Sequence, residues 1–448
     1  MEKISELKSN DAKKKDIYAW YVVILCMVAY IFSFIDRQIL ALMIEPIKAD
    51  LNLTDTQFSL LHGLAFSLFY AFMGLPLAYI ADRFSRPKLI AAGIVFWSIA
   101  TALCGLSKNF IQLFLSRMGV GIGEAALSPA AYSMFSDMFA KDKLGRAVAI
   151  YSIGSFVGGG IAFLVGGFVI GLLKDMSLIA VPLLGMLKAW QVAFILVGLP
   201  GVIIGILVLL TVKDPKRKGQ MVDAQGNVVK VKLSDTFKFL KKHKKTFTCH
   251  YLGFTFYAMA LFCLISWTPA FYIRHYNMTA TEVGYMLGAV LLISNTLGVF
   301  AAGWMNDYFI QKGRKDSPMF VGVIGIVGLI IPMILFSQVN ELWLSVTLLV
   351  VAMFFASFPM PISTTAMQML SPNQLRAQIS SIFLLISNLI ALGIGTTLVA
   401  LITDRIFENP LMVGSSISIV GAISCVLCFV LLKVGCKAFE NSLRVESK

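Results

Sequence analysis

Twelve long apolar runs dominate the sequence and leave few folds open to it. Each run has about 20 residues or more, the length that an α-helix needs to cross the hydrocarbon core of a bilayer. Backbone groups in lipid must hydrogen-bond within their own segment, so such runs fold as helices. We therefore expect an all-α membrane protein with twelve transmembrane helices. The runs are 20–44, 56–81, 88–107, 109–135, 146–172, 190–212, 247–273, 281–305, 319–338, 342–369, 377–403 and 411–434.

The composition agrees, since 58% of the 448 residues are hydrophobic and 14% are charged. A net charge of +14 could indicate a nucleic-acid partner. The distribution of the charge favours another explanation. With both termini on one side, that side holds 30 of the 38 Lys and Arg residues and the loops on the other side hold six. The positive-inside rule then predicts cytoplasmic termini, a multi-pass protein of a bacterial-type inner or plasma membrane, and no nucleic-acid partner.

One long polar segment, 213–245, divides the chain between the sixth and seventh runs. It carries 11 Lys or Arg residues against three Asp. We therefore predict two six-helix bundles joined by a basic cytoplasmic linker and flanked by two cytoplasmic tails. The expected boundaries are a tail at 1–19, a bundle at 20–212, the linker at 213–246, a bundle at 247–434 and a tail at 435–448.

The two halves repeat each other. Asp82 follows the second run and Asp307 follows the eighth, 225 residues later. Arg146 and Arg376 each follow a proline by 17 residues, after the fourth and the tenth run. A chain of six plus six helices with internal repeats is typical of secondary transporters, which hold their substrate between the halves near the middle of the membrane.

Local motifs resemble one transporter family. The loop from Ala78 to Arg86 is similar to the G-x-x-x-D-R-x-G-R signature of the major facilitator superfamily, with Ala78 and Ser85 where glycines are usual. A narrower resemblance to spinster-like transporters rests on 34–38, 80–86 and 117–125. The Asp-Arg pair and the G-x-G-E-A segment also resemble organic anion:cation symporters. These resemblances imply a transporter with the major facilitator fold, driven by a proton gradient without another cofactor.

Four charges lie deep inside the apolar runs: Asp36, Arg37, Arg117 and Glu124. At a rise of 1.5 Å per residue, Asp36 is roughly 24 Å above the start of the first run and Arg117 roughly 12 Å below the start of the fourth. These heights nearly coincide in a hydrocarbon core of ~30 Å. We therefore expect Asp36 to pair with Arg117 or Arg37, with Glu124 about 10 Å further inward. The alternative is that the four groups only hold the first helix to the fourth.

The functional interpretation gives each charge a role. An arginine, Arg117 or Arg37, would receive an anionic head group, because a guanidinium binds carboxylate or phosphate in a bidentate manner. Glu124 and Asp36 would bind and release the coupled proton, roles that the family resemblance also implies. Gly121 and Ser128 share a helix face with Arg117, and we add both, together with Ser33, to the predicted substrate site.

The repeat places neutral or apolar residues opposite these charges in the C-terminal half. We therefore predict an aromatic wall there that would hold an apolar tail. The substrate-binding candidates are Tyr257, Trp267, Phe354 and Phe358, and the same wall would include Phe254, Phe355 and Met367. Taken singly, each of them is more often a packing or lipid-facing residue.

Six charged residues at the cytoplasmic ends of helices are predicted to act in gating. In the superfamily that the chain resembles, such residues pair with a neighbouring helix end when the inner side closes. The alternative is that they only set topology. The candidates are Asp82, Arg83, Arg86, Asp307, Arg146 and Arg376. His62, near the outer end of the second run, is expected to make a packing hydrogen bond rather than to titrate.

The first functional hypothesis is a proton-coupled transporter of an anionic, lysolipid- or sphingolipid-like amphiphile, acting as a monomer in the bilayer. The second is a symporter for a small organic acid. A non-transporting receptor on the same fold is a weaker third, because it would not need paired intramembrane charges. We expect no enzyme and no metal site, since the sequence has no catalytic constellation, nucleotide loop or metal-ligand spacing.

Overall fold

The computed structural model describes residues 2–81, 83–173, 176, 178–182, 184–217, 233–372 and 374–446. Within them, twelve helices are long and apolar enough to cross a membrane, which confirms the predicted fold class. We number them as spans. Spans 1 to 6 are Asp16–Leu42, Asp55–Ala81, Arg86–Cys104, Phe110–Met138, Lys143–Leu173 and Ala189–Thr211. Spans 7 to 12 are Lys244–Tyr276, Ala280–Gln311, Ser317–Leu335, Leu342–Leu370, Gln378–Phe407 and Pro410–Glu446.

The N-terminal half, up to residue 217, contains α-helices, one π-helical segment at Leu60–Leu64 and a short antiparallel hairpin of Ile179–Val181 and Gly185–Leu187. Its α-helices are Glu2–Leu42, Ile44–Leu51, Asp55–Ser59, Ala65–Ala81, Arg86–Cys104, Phe110–Glu124, Leu127–Met138, Lys141–Leu173 and Ala189–Thr211.

The C-terminal half, from residue 233, has π-helical segments at Leu291–Asn295, Asn388–Gly395 and Ile402–Phe407 and a 3-10 turn at Pro410–Met412. Its α-helices are Leu233–Lys242, Lys244–Tyr276, Ala280–Val290, Thr296–Gln311, Ser317–Leu335, Leu342–Ala356, Pro359–Leu370, Arg376–Ser387, Thr396–Leu401 and Val413–Glu446.

The internal repeat is visible in how spans 2 and 8 begin. The Thr54 hydroxyl accepts a hydrogen bond from the Gln57 backbone N–H, and the Gln57 side chain bonds back to Thr54. Thr279 and Glu282 form the same reciprocal cap 225 residues later. Such caps satisfy backbone donors that a helix start leaves free, and each contributes about 1 kcal/mol. Both halves therefore start their second span with the same N-terminal capping box.

Glycines bring the two halves into backbone contact along spans 5 and 8. A Cβ atom added to Gly284 would lie 2.6 Å from the Cα of Gly167, and one added to Gly288 would lie 2.9 Å from the carbonyl oxygen of Gly160. Small residues allow this close approach of helices in a membrane. Gly63, in the π-helical segment of span 2, approaches span 11 in the same way, since its added Cβ would lie 2.4 Å from the Oγ1 of Thr396.

Twelve crossings bring both ends of the chain to one side, which we call the terminal face; the other side is the opposite face. A buried group of charges joins the halves at the opposite face. Arg274 of span 7 donates two hydrogen bonds of 2.7 Å to the Asp55 carboxylate and one of 2.7 Å to Glu45. Lys48 also binds Asp55, whose side chain has no exposed surface. We name these four residues the opposite-face cluster.

Three further hydrogen bonds between described residues join the halves. The backbone N–H and the hydroxyl of Thr56 both donate to Asp404, at 2.7 Å. Deeper in the molecule, the Nε2 atom of His62 lies 3.0 Å from the Oγ of Ser266. These bonds and the opposite-face cluster hold the halves together at the opposite face, which is closed in this structure.

We predict that Asp55→Asn loosens this closure much more than Glu45→Gln. Asp55 is fully buried between Arg274 and Lys48, whereas 39% of the Glu45 side chain is exposed. Removing one partner of a buried ion pair costs about 3 kcal/mol or more, because a buried charge is left without compensation. The measurement is a distance distribution between spin labels on Lys108→Cys and Asn340→Cys, exposed positions in different halves. Identical distributions for the wild type and Asp55→Asn would show that the cluster does not hold this face closed.

Candidate functional site

The four intramembrane charges meet in the N-terminal half. Arg117 and Glu124 are seven residues apart on span 4 and therefore share one helix face. That face lies close to span 2, because a Cβ atom added to Gly121 would come within 2.6 Å of the carbonyl oxygen of Phe66. Gly121 therefore acts as a packing contact that lets the charged face of span 4 lie directly against span 2.

Arg37 pairs with Glu124. Its Nε atom donates to Oε2 of Glu124 at 2.6 Å, and its Nη2 atom binds the same oxygen. Of the two side chains, Arg37 is partly exposed and Glu124 is buried: the exposed fractions are 16% and 1%. We expected Asp36 to pair with an arginine and Glu124 to lie further inward, and this expectation is wrong. Glu124 is the carboxylate that pairs with Arg37. Among the described residues, no arginine nitrogen lies within 4.0 Å of the Asp36 carboxylate.

Arg117 and Asp36 are neighbours without forming an ion pair. The Nη1 atom of Arg117 donates to the backbone carbonyl oxygen of Asp36 at 3.2 Å. Arg117 is fully buried, and its Nε and Nη2 atoms have no hydrogen-bond partner among the described residues. The same holds for Oδ1 of Asp36 and Oε1 of Glu124. Buried polar groups are normally hydrogen-bonded, so this cluster has capacity to bind further polar groups.

Aromatic rings surround the guanidinium of Arg37. Its Cζ atom lies 4.4 Å from the ring centre of Phe66, 5.0 Å from that of Phe34 and 5.2 Å from that of Tyr70. A cation is attracted to the faces of such rings. Phe66 and Tyr70 were not among the predicted site residues, although the sequence carries a signal for them. Aromatic rings recur every four residues on span 2, at Phe58, His62, Phe66 and Tyr70.

Tyrosines extend this aromatic surface. The rings of Tyr30 and Tyr151 stack at 4.9 Å, and Tyr132 contacts Tyr151 edge-on at 5.3 Å. The predicted Ser128 lies here, with its hydroxyl 2.8 Å from the Tyr151 hydroxyl. The predicted Ser33 is buried and donates to the carbonyl oxygen of Tyr30 at 3.0 Å. Both serines therefore lie beside these tyrosines, and their role in substrate binding stays a prediction.

The predicted aromatic wall faces elsewhere. Tyr257 and Phe358 are buried inside the C-terminal bundle, where a Cβ atom added to Gly325 of span 9 would touch both. The Tyr257 hydroxyl donates to the carbonyl oxygen of Phe355 at 2.8 Å. Phe354 packs edge-on against Phe355 at 5.0 Å. Tyr257, Phe355 and Phe358 pack against glycines of span 9, so we do not include them in the candidate site. Phe354 is half-buried, and its role in substrate binding stays a prediction.

Trp267 and His62 lie at the contact between the halves. The Trp267 indole N–H donates to the carbonyl oxygen of Thr396 at 2.9 Å, and its ring contacts Phe58 edge-on at 6.4 Å. His62 makes the hydrogen bond to Ser266 described above, in agreement with the packing role expected for it. Trp267 therefore lies at the closure of the opposite face rather than on a substrate wall.

Five of the six predicted gating residues lie at the terminal face, and the role of all six stays a prediction. Asp82 lies outside the described residues. Arg86 is buried; it binds Asp137 and donates to Asp214 at 2.9 Å, so it joins the ends of spans 3, 4 and 6.

The other four gating candidates make local contacts or are exposed. Arg83 lies over the Tyr79 ring at 3.9 Å, and Asp307 accepts a hydrogen bond from Asn306 at 3.3 Å. Arg376 donates to the carbonyl oxygen of Ser371 at 3.1 Å, and Arg146 is exposed.

Curated relatives of this chain are transporters. It is 27% identical over 391 residues to an MFS-type efflux pump of Mycolicibacterium smegmatis. This alignment covers 87% of this chain and 86% of the efflux pump. It is 26% identical over 308 residues to Protein spinster of Drosophila melanogaster, covering 67% and 48% of the two chains. It is 24% identical over 381 residues to the probable galactarate/D-glucarate transporter GudP of Bacillus subtilis, covering 78% of each.

Among solved structures, the chain is similar to a bacterial homolog of the human lysosomal transporter Spinster, crystallised in an inward-facing and unoccupied conformation. The TM-score is 0.77 at 26% sequence identity, and the alignment covers 95% of this chain and 97% of the other. The sequence model of the Major Facilitator Superfamily matches residues 26–396. With its twelve spans and its transporter relatives, this protein belongs to the Major Facilitator Superfamily and is a membrane transporter rather than an enzyme.

Proposed function

We propose that this secondary transporter couples protons to the movement of an anionic amphiphile. The observation that carries the proposal is the pair of Arg37 and Glu124, in which the arginine is partly exposed, with the buried Arg117 beside the same Phe66 ring. Ionisable residues inside a membrane are costly and are usually functional. A bound anion would find one accessible guanidinium and, beyond it, a second guanidinium with two unsatisfied nitrogens.

Competition for Arg37 would link the anion to the proton. An anionic head group that binds the Nε and Nη2 edge of the Arg37 guanidinium takes the place of the Glu124 carboxylate. Glu124 is then a buried carboxylate without a counter-ion, which is unfavourable unless the carboxylate binds a proton. When the anion leaves, Glu124 can return to Arg37 and release that proton. Asp36, adjacent to Arg37 on span 1, is a second candidate for this role.

Alternating access would expose this site to the two sides in turn. The excess of Lys and Arg supports a cytoplasmic terminal face, so the closed opposite face would be the external one. The opposite-face cluster and the glycine contacts of spans 5 and 8 would then have to separate for the site to open outward. Both halves contribute to this contact, and we expect one chain, acting as a monomer, to complete the cycle.

The aromatic surroundings of Arg37 favour an amphiphile over a small acid. Three rings border the guanidinium, and stacked tyrosines continue this surface toward Ser128. Such a surface suits an apolar chain next to an anionic head group. The similarity to spinster proteins supports the same choice. A small organic acid is the second candidate, favoured by the unsatisfied polar atoms of Arg117 and Asp36 and by the galactarate/D-glucarate transporter among the relatives.

We predict that Glu124→Gln removes the pH dependence of transport while the protein still folds. Glutamine keeps the shape of the side chain and a hydrogen bond to Arg37 but cannot release a proton. The measurement is uptake or exchange of lysolipid phosphates in proteoliposomes across a pH gradient, with the thermal unfolding temperature as the folding control. An unchanged pH profile would leave Glu124 with a structural role only.

We predict that Arg37→Gln weakens binding of lysolipid phosphates or sphingoid phosphates by at least about 30-fold, the usual effect of truncating one partner of a buried charged contact. The readout is the stabilisation of purified protein against heating as ligand is titrated. Arg405→Gln is the matched control, because Arg405 is an exposed arginine outside the cluster.

Two outcomes of this titration would contradict the proposal. Stabilisation of the wild type by sugar acids alone would exclude the amphiphile and favour the organic-acid transporter. Equal ligand affinities for wild type and Arg37→Gln would place the head group elsewhere in the molecule.

A further inference from the structure

We propose that the helix Leu233–Lys242, which we call the linker helix, binds the bilayer surface. Its lysines would contact the head groups of anionic phospholipids while Leu233 and Phe237 enter the boundary between head groups and acyl chains. The surface is separate from the charged cluster of spans 1 and 4, and the proposal does not depend on the transported substrate.

The linker helix is fixed to the C-terminal bundle by one face. Thr236 is fully buried and its hydroxyl binds Gln378 at the start of span 11. Phe239 is buried and packs edge-on against Phe247 of span 7 at 5.8 Å. The helix therefore has a defined orientation on the bundle, and its remaining faces point outward.

One of the remaining faces is apolar and exposed. Leu233 and Phe237 are one helical turn apart and therefore lie on the same face, and they keep 50% and 54% of their surface exposed. Exposed large apolar side chains that lie side by side, on a helix whose other face is packed on the bundle, indicate a contact surface. An amphipathic helix of this kind lies in the membrane interface with its apolar side chains inserted.

The charges beside this face are basic. Lys241, Lys244 and Lys245 are exposed, and none has an acidic partner within 4.0 Å among the residues that the structure describes. Lys238 has only a loose contact of 3.5 Å with Asp235, both of them exposed. Lys242 binds Glu446 at the end of span 12. Free lysines next to an apolar stripe are complementary to anionic head groups.

The position of the helix in the chain selects the bilayer as the partner. The linker helix ends at Lys242, and span 7 begins two residues later at Lys244. His243, between them, is held by Glu446 at 2.8 Å. The linker helix is therefore placed where the apolar span meets the polar head groups. A soluble acidic partner would satisfy the lysines, but it would not explain two exposed apolar side chains at this depth.

Spin labels on the two sides of the helix test the insertion. Phe237→Cys and Asp235→Cys are two residues apart and point to nearly opposite faces. All seven native cysteines are buried, which favours labelling at the introduced position. In vesicles of phosphatidylcholine and phosphatidylglycerol, we expect the label at 237 to lose accessibility to a water-soluble nickel chelate while the label at 235 keeps it. Equal accessibility of both labels would overturn the proposal.

Charge removal tests the lipid class. Lys241→Gln, Lys244→Gln and Lys245→Gln together should weaken stabilisation by phosphatidylglycerol about 100-fold, taking each lysine as about fivefold. The control removes three other exposed lysines by Lys88→Gln, Lys315→Gln and Lys437→Gln, and it should keep the effect. Equal losses in the two triple variants, or equal stabilisation by soluble glycerol phosphate, would contradict binding of a lipid by this helix.

Discussion

The ion pair between Arg37 and Glu124 is the interaction on which the candidate site depends. Neither charge would be tolerated alone at this depth, because an unpaired charge away from water costs several kcal/mol. The pair joins spans 1 and 4, and the rings of Phe66 and Tyr70 hold the guanidinium from span 2. In the proposed cycle, an anion that binds the Nε and Nη2 edge of Arg37 would compete with a carboxylate already in place, which would link anion binding to release of the carboxylate.

The two halves differ in chemistry although they share a repeat. The N-terminal half carries the four intramembrane charges, whereas the corresponding region of the C-terminal half buries Tyr257 and Phe358 against the glycines of span 9. The halves meet at the opposite face through backbone contacts of Gly167 and Gly284 and through the buried charges around Asp55.

Much of the architecture was predictable from the sequence, because hydropathy and the length of a span are local properties. The twelve runs coincide with twelve helices, and depth counting correctly brought spans 1 and 4 together at the level of Asp36 and Arg117. Which arginine pairs with which carboxylate was not predictable in the same way. A rise of 1.5 Å per residue gives the height of a side chain, but it does not give the rotation of the helix about its axis. That rotation directs Arg37, and not Asp36, toward the opposite charge.

The sequence by itself determined the twelve spans, the repeat of the two halves and the residues that carry intramembrane charge, since each follows from composition and spacing along one chain. The tertiary structure decided which partners these residues have. An aromatic residue such as Tyr257 or Trp267 is equally apolar whether it faces a cleft, a glycine groove or the other half, and only packing separates these positions. The same packing brings Arg37 to Glu124 and Arg274 to Asp55. In each case the arginine lies on another span, and the chain order does not specify which helix faces which.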